Sequence, residues 1–383
     1  MPSLPEPSPD AKAHSQQVQD HLCADIAAQG GWISFARYME LALYAPGLGY
    51  YAAGATKFGP AGDFTTAPER SRLFGRSIAR QAAQILRETG GDILEAGAGS
   101  GKLACDLLSE LEKLGTLPEC YFILELSGEL KARQQATLVA QTPHLLNKVQ
   151  WLDHLPETFS GIVLGNEVLD AMPVHLVVRK DGAWLERGVS ENETEFSWQD
   201  QPIADSALLQ AVQALNVPDD YLTEINFAAP AFIASLTERL QRGALLMIDY
   251  GFPHAEYYHP QRNQGTLMCH YRHFAHGEQF YWPGLQDITA HVDFSAIAEA
   301  GMDHGCEVLG FTTQANFLIN CGITDLLAET SPDDVANYLP LANQAQYLLS
   351  PAEMGELFKV IALGKGLEMP LLGFTRGDQQ HRL

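Results

Sequence analysis

Residues 92–103 read Asp92-Ile93-Leu94-Glu95-Ala96-Gly97-Ala98-Gly99-Ser100-Gly101-Lys102-Leu103, and the fold turns on this stretch. A short apolar run ends in an acid. Three glycines follow at every second position, and a helical pattern begins at about Leu103. Strand, tight turn and helix in that order open a doubly wound α/β sheet, and the glycines let a ligand lie against bare backbone at the strand's carboxyl end. Working outward, near-unbroken apolar runs at 121–126, 149–152, 161–164 and 244–248 alternate with helical stretches. Parallel strands covered on both faces have this pattern. Runs at 306–312 and 358–363 are expected to complete a mainly parallel, seven-stranded sheet.

The flanks read differently. Residues 1–14 are proline-rich and short of bulky apolar groups, which predicts a loose tail. Residues 15–90 read as a mostly helical region covering the cofactor turn, with helices over 16–28 and 33–43. A third, capped by Thr65 or Thr66 and carrying Pro68 in its first turn, is expected to run through about residue 86. The sheet domain then occupies 91–383. An insertion at about 172–228 interrupts it, where 175–179, 183–187 and 194–198 alternate around turns such as Asp181-Gly182 and predict antiparallel hairpins. Helices are expected over 229–240 and 294–300, and long loops from 250 to 284.

With 47 acidic against 24 basic residues the net charge is −23. That argues against a nucleic-acid backbone as partner and favours a cationic small molecule or a basic protein segment, although for net charge alone solubility is the better account. No apolar stretch reaches the ~20 residues of a membrane helix, so no membrane insertion is expected. Six scattered cysteines fit a reducing compartment. The N-terminus resembles neither a secretory signal nor an Arg-rich presequence. The expectation is a cytoplasmic protein, mitochondrial only if a presequence has been removed.

The glycine turn discriminates among cofactors. A phosphate-cradling loop needs GxxxxGK[ST], but Ala96 and Leu103 occupy the first glycine and hydroxyl positions. A dinucleotide turn needs GxGxxG, and here Lys102 stands where the third glycine belongs. Glu95 would repel a pyrophosphate and attract the ammonium and sulfonium of S-adenosyl-L-methionine. Gly97, Gly99 and Gly101 would therefore cradle that cofactor; a tight turn with no ligand is the bland alternative. Glu125, in Leu124-Glu125-Leu126-Ser127, follows Gly101 by 24 residues. That is near the ~20-residue offset at which an acid meets a ribose. Asp153 ends the next strand and either accepts from the adenine amino group or is a plain surface acid.

Several further stretches resemble the MidA-like family of methyltransferases, whose mitochondrial members assist assembly of respiratory complex I. They are GDFTTAPE at 62–69, LEAGAGSGKL at 94–103, LELS at 124–127 and GNEVLDAMPVH at 165–175. The rest are EIN at 224–226, IDYG at 248–251, QDITAHVDF at 286–294 and EMGELFKVIALGKG at 353–366. The resemblance spans nearly the whole chain in order. It implies a Rossmann-like class I methyltransferase that symmetrically dimethylates an arginine of a complex I subunit. Ala98 and Ser100 stand where the family often carries a bulkier residue such as Pro and an Arg.

The fourth strand leads into Asn166-Glu167-Val168-Leu169-Asp170. Ligands of open α/β sheets sit outside the carboxyl ends of strands, so Asn166 and Glu167 are candidates to hold the methyl acceptor. Asp170, one helical turn on, can share their pocket or simply favour a helix N-terminus. A guanidinium suits paired carboxylates because it presents donors in a planar fork. The resemblance suggests that Asp63 and Thr65 close over the cofactor. Asp287, Thr289, His291 and Asp293 are weaker candidates for the substrate side, since a loop with a helix cap explains them as well. Cys269, His270, His273 and His276 lack a repeated ligand spacing, and no metal is expected. Two other readings stay open: an assembly chaperone that binds the cofactor without turnover, and a small-molecule methyltransferase. A homodimer is the oligomer considered.

Overall fold

The sheet occupies the centre of one of two units into which the chain groups. The first unit is drawn from 65–169, 230–253 and 292–383, the second from 1–64, 170–229 and 254–291. The computed structural model describes residues 4–53, 66–192 and 195–383. The first unit contains β1 (Asp92–Ala96), β2 (Tyr121–Leu124), β3 (Val149–Leu152), β4 (Phe159–Asn166), β5 (Leu240–Phe252), β6 (Glu307–Thr313) and β7 (Phe358–Lys365). They lie in the order β6-β7-β5-β4-β1-β2-β3. β7 runs antiparallel to both neighbours, and the other pairings are parallel. A two-residue strand, Val292–Asp293, extends the sheet beside the end of β5.

From β1 the chain winds outward to β3, then returns to lay β4 on the other side of β1, with Ala96 opposite Gly165. This reversal is a topological switch point, where the carboxyl ends of β1 and β4 leave a crevice that no crossover covers. β5 is longer than its apolar run at 244–248. Pairing with β4 ends at Ile248, and pairing with β7 alone keeps Asp249 and Tyr250 in the ladder. The helix Arg72–Thr89 buries Leu73, Phe74, Ile78, Ala82 and Ile85 in one core with Ile93, Ile162 and Leu246.

The single helix expected from Thr65 or Thr66 is two, Ala67–Arg70 and Arg72–Thr89. Ser71 breaks it with extended backbone and accepts a hydrogen bond from the Leu73 N–H at 3.2 Å, the ordinary way in which serine competes with helix. Thr66 makes no side-chain cap bond. The helices Gln314–Asn320, Ile323–Ala328 and Val335–Leu349 were not read from the sequence.

In the second unit the expected hairpins form: His175–Lys180, Ala183–Asn192 and Glu195–Pro202 pair antiparallel around turns such as Asp181-Gly182. Two elements of the insertion escaped the pattern, the helix Ser206–Gln213 and the strand Tyr221–Ile225, which pairs with His175–Lys180. The chain does not divide at residue 90. Ile33 and Ser34 pair with Val189 and Gly188, so residues 4–53 share a core with the insertion, built on Val18, Phe35, Tyr38, Val174 and Val189.

The loose tail also needs correcting. Helix begins at Pro9 because Ser8 caps it, proline occupies the first turn and Asp10 complements the macrodipole. The loops expected over 250–284 contain the strands Met268–Tyr271 and Phe274–His276, which join Asp287–Thr289 in a small antiparallel sheet. Its hairpin turn places Arg272 and His273 at φ 46° and 65°. Such turns usually announce themselves through glycine or asparagine, and this one does not. Among the described residues no helix is long and apolar enough to cross a membrane.

Candidate functional site

The turn after β1 is locked into a left-handed path. Gly97, Gly99 and Gly101 have φ of 66°, 53° and 82°, a region that side chains with a Cβ rarely adopt. Space is short as well: a Cβ on Gly97 would stand 2.8 Å from Cγ2 of Val168, and one on Gly101 3.0 Å from Cα of Gln134. Gln134, on the helix Gly128–Gln141, is fully buried. Its Nε2 donates to the Gly99 carbonyl at 3.2 Å and to Glu125 Oε2 at 2.9 Å, while its Oε1 accepts from Trp151 Nε1 at 2.9 Å. One amide thus ties together the carboxyl ends of β1, β2 and β3.

Glu95 is buried on β1 and accepts a hydrogen bond from the Tyr121 hydroxyl at 2.7 Å. Burial pushes its carboxyl up to about 7; the Tyr121 bond opposes this and the charge of Glu125 adds to it. Glu125 Oε1 accepts from the Ser127 N–H at 2.8 Å. A carboxylate has about four lone-pair sites and can take several donors at once. The Ser100 hydroxyl donates to Glu69, which fastens the end of the GDFTTAPE stretch to the glycine turn. Asp63 and Thr65 of that stretch lie outside the described residues. Leu126 is 81% exposed, and Asp153, also exposed, stands 3.9 Å from Lys131.

At the end of β4, Glu167 has φ 53°, uncommon for a residue with a long side chain. Its N–H donates to the Ile248 carbonyl at 2.9 Å. Asp249, buried on β5, holds the turn from below: Oδ2 accepts from the N–H groups of Val168 at 3.2 Å and Leu169 at 2.9 Å, and Oδ1 from that of Tyr250 at 2.9 Å. Backbone strain of this kind persists where surrounding bonds over-determine it, and it concentrates at functional sites. Asn166 Nδ2 donates to Glu167 Oε1 at 3.0 Å, while its own Oδ1 is buried with no hydrogen-bond partner among the described residues.

Asp170 belongs to the second unit, where its carbonyl accepts from the Ala290 N–H at 2.9 Å. Asp293 caps the helix Phe294–Asp303, accepting from the N–H groups of Ser295 at 3.1 Å and Ala296 at 3.4 Å. The His291 N–H donates to Thr266 Oγ1 at 3.0 Å. Cys269 and His276 face one another across a strand pair, but the described residues contain no group of three His, Cys, Asp or Glu placed to hold a metal ion. Sequence reasoning missed Glu69, Tyr121, Gln134 and Asp249. Only Asp249, an acid closing an apolar strand, left a local signal.

The residues present fit S-adenosyl-L-methionine. The three glycines are all left-handed, a Cβ at Gly97 or Gly101 would crowd a neighbour, the buried Glu95 gains from a cation beside it, and Asn166 holds an acceptor with no partner among the described residues. A switch-point crevice lined in this way defines a Rossmann-like methyltransferase. The chain belongs to the MidA-like S-adenosyl-L-methionine-dependent methyltransferases, the family pattern matching residues 77–312.

A crystal structure of a Burkholderia thailandensis protein bound to S-adenosyl-homocysteine is 54% identical, superposes with a TM-score of 0.97 and covers 100% of both chains. The zebrafish mitochondrial protein arginine methyltransferase NDUFAF7 is 29% identical over 96% of this chain and 94% of its own length. Its human counterpart is 28% identical over 90% of this chain and 82% of its own. These relatives are named mitochondrial, and nothing in the comparisons supports the cytoplasmic expectation.

Proposed function

We propose that this methyltransferase modifies an arginine of a protein substrate, with Asn166 and Glu167 holding the guanidinium. The names of the animal relatives support the substrate class. The carrying observation is Glu167, held in a left-handed conformation by Asp249 at the end of β4 and oriented by the Asn166 amide. When bound, the cofactor supplies a methyl group on a sulfonium. Gly97, Gly99 and Gly101 would offer it bare backbone, Glu95 a negative charge, Glu125 acceptors for ribose hydroxyls, and Leu126 and Asp153 the flanks of the adenine.

Asn166 and Glu167 align the guanidinium nitrogen with the methyl carbon, which is chiefly a positioning effect. The Glu167 carboxylate would accept the proton that the guanidinium nitrogen gives up on methylation. The target protein, on the family resemblance, is a subunit of respiratory complex I, and the working oligomer is a homodimer, which light scattering tests.

Incubation with radiolabelled cofactor and a mitochondrial lysate, followed by acid hydrolysis, should yield labelled methylarginine. Glu167→Gln should lower transfer about 100-fold, the scale of general-base loss, and keep S-adenosyl-homocysteine affinity within about twofold. Undiminished transfer in that variant removes the role of Glu167, and label confined to another amino acid removes arginine.

A further inference from the structure

We propose that Gln134 is a positioning residue for the cofactor: its side-chain amide fixes the Gly99 peptide and the bearing of Glu125. The proposal rests on the reading that the glycine turn meets the cofactor, and it adds the group that holds that turn in shape. All the residues involved lie in the first unit.

Gln134 occupies a position where the fold would accept an apolar side chain. The helix Gly128–Gln141 buries Leu130, Gln134 and Leu138, spaced four residues apart along one face. Gln134 and Leu138 are both fully shielded from water. A buried amide is costly unless its polar atoms are bonded, whereas leucine at 134 would continue the stripe without that cost. The bonds of the amide are therefore what account for its presence.

Those bonds fix its orientation. An indole N–H is a donor only, so the amide oxygen must be the atom that faces Trp151 Nε1, 2.9 Å away. The amide nitrogen then turns its two hydrogens toward two acceptors, the Gly99 carbonyl at 3.2 Å and Glu125 Oε2 at 2.9 Å. A flipped amide would set oxygen against both acceptors and nitrogen against the indole. Trp151 packs against the core, which makes it a firm reference point. The helix backbone presses on the same turn, since a Cβ on Gly101 would stand 3.2 Å from the Gln134 carbonyl oxygen. Gly99 itself, at φ 53°, adopts a conformation that glycine permits but does not enforce. The bond from Gln134 supplies the enforcement, by tying the carbonyl of the middle glycine to a side chain that cannot turn.

Calorimetric titration of the full chain with S-adenosyl-homocysteine tests this, with the melting temperature recorded beside it. Gln134→Met keeps the apolar stripe, so it should melt within about 4 °C of the wild type. It should nevertheless bind the ligand about tenfold more weakly, the scale of one or two lost hydrogen bonds. Gln134→Glu is the second variant. Deprotonated, its carboxylate faces the Gly99 carbonyl and Glu125 with no hydrogen to give, and at pH 9 binding should be about 30-fold weaker than wild type. Protonated, it again offers a carbonyl to the indole and one O–H to the two acceptors, so at pH 5 the deficit should shrink to about threefold. Comparing the two proteins at each pH removes the dependence that the wild type has of its own. A merely structural amide would move the melting temperatures and leave both affinities at the wild-type value.

Wild-type affinity in Gln134→Met, or a deficit in Gln134→Glu that does not change with pH, overturns the proposal. Gly97→Ala separates it from the reading beneath, because a Cβ there would stand 2.8 Å from Val168 Cγ2 on left-handed backbone. Full binding in Gly97→Ala overturns the cofactor reading of the turn, and the role of Gln134 with it. Lost binding in Gly97→Ala beside full binding in Gln134→Met overturns the role of Gln134 alone.

Discussion

Glu95 and Glu224 are both buried carboxylates at the ends of strands, one in each unit, and their surroundings treat them in opposite ways. Glu224 is 1% exposed and surrounded by donors. Its Oε1 accepts from the N–H groups of Thr266 at 2.7 Å and Leu267 at 3.0 Å, and its Oε2 from the hydroxyls of Tyr257 and Thr266, each at 3.2 Å. A glycine at 265 makes room, since a Cβ there would stand 2.3 Å from Oε1. Glu95, 2% exposed, receives the hydroxyl of Tyr121. A carboxylate satisfied by the chain fastens a loop. One left under-satisfied stores a preference for a cation, which is the division between structural and ligand-binding acids that burial alone does not reveal.

The largest expected effect lies on the structural side. Glu224→Ala strands two backbone donors and two hydroxyls, and should cost about 3 kcal/mol of stability, measured by urea unfolding. A loss below 1 kcal/mol would erase the contrast. Asp249→Ala, which strands the N–H groups of Val168 and Leu169, should cost about 2 kcal/mol. It should also lower methyl transfer more than tenfold through Glu167, while S-adenosyl-homocysteine affinity changes less than threefold. Equal damage to transfer and cofactor affinity would show that Asp249 does not act through the turn at Glu167.

Glu95→Gln sharpens the other side. At pH 8 the variant should bind S-adenosyl-homocysteine about tenfold more weakly by calorimetry, a change of about 1.4 kcal/mol. At pH 6 the two proteins should converge, because the wild-type carboxyl, pushed up to about 7, is then largely protonated. Stability runs the other way. With the folded value above the ordinary 4.5, the folded state holds the extra proton. Its contribution is full below about 4.5 and is lost as pH rises through 7. The ligand-free melting temperature should therefore fall across that window, and Glu95→Gln should flatten the fall. The smallest effect is expected at Asp153: exposed hydrogen bonds and ion pairs are worth at most about 1 kcal/mol. Asp153→Ala should weaken cofactor binding two- to threefold.

Legibility in the sequence followed the range of the interactions. The turn at 97–101 was readable because its constraint is local: positive φ at three neighbouring residues admits little besides glycine. The hairpin at Asp181-Gly182 was readable for the same reason, and the one at Arg272-His273 was not, because its left-handed residues carry ordinary side chains. The single helix expected at 66–86 failed at Ser71, where a side chain recapped the backbone in mid-pattern. Within the candidate site, Glu95, Glu125, Asn166 and Glu167 stand at strand ends that the apolar runs marked. Of the groups that orient them, Tyr121 and Gln134 gave no comparable signal, and Asp249 gave only its place after an apolar run.

Alternation of apolar runs with helical stretches, and a glycine turn beside an acid, were sufficient by themselves to determine a doubly wound sheet and a cationic cofactor, because both depend on residues within a few positions of one another. Only the tertiary structure decided which groups hold the turn at Glu167 and which face Asp287. Those bonds join residues 80 and 236 positions apart. No local pattern encodes such a meeting; it exists once the backbone has closed and each buried donor has had to find its acceptor.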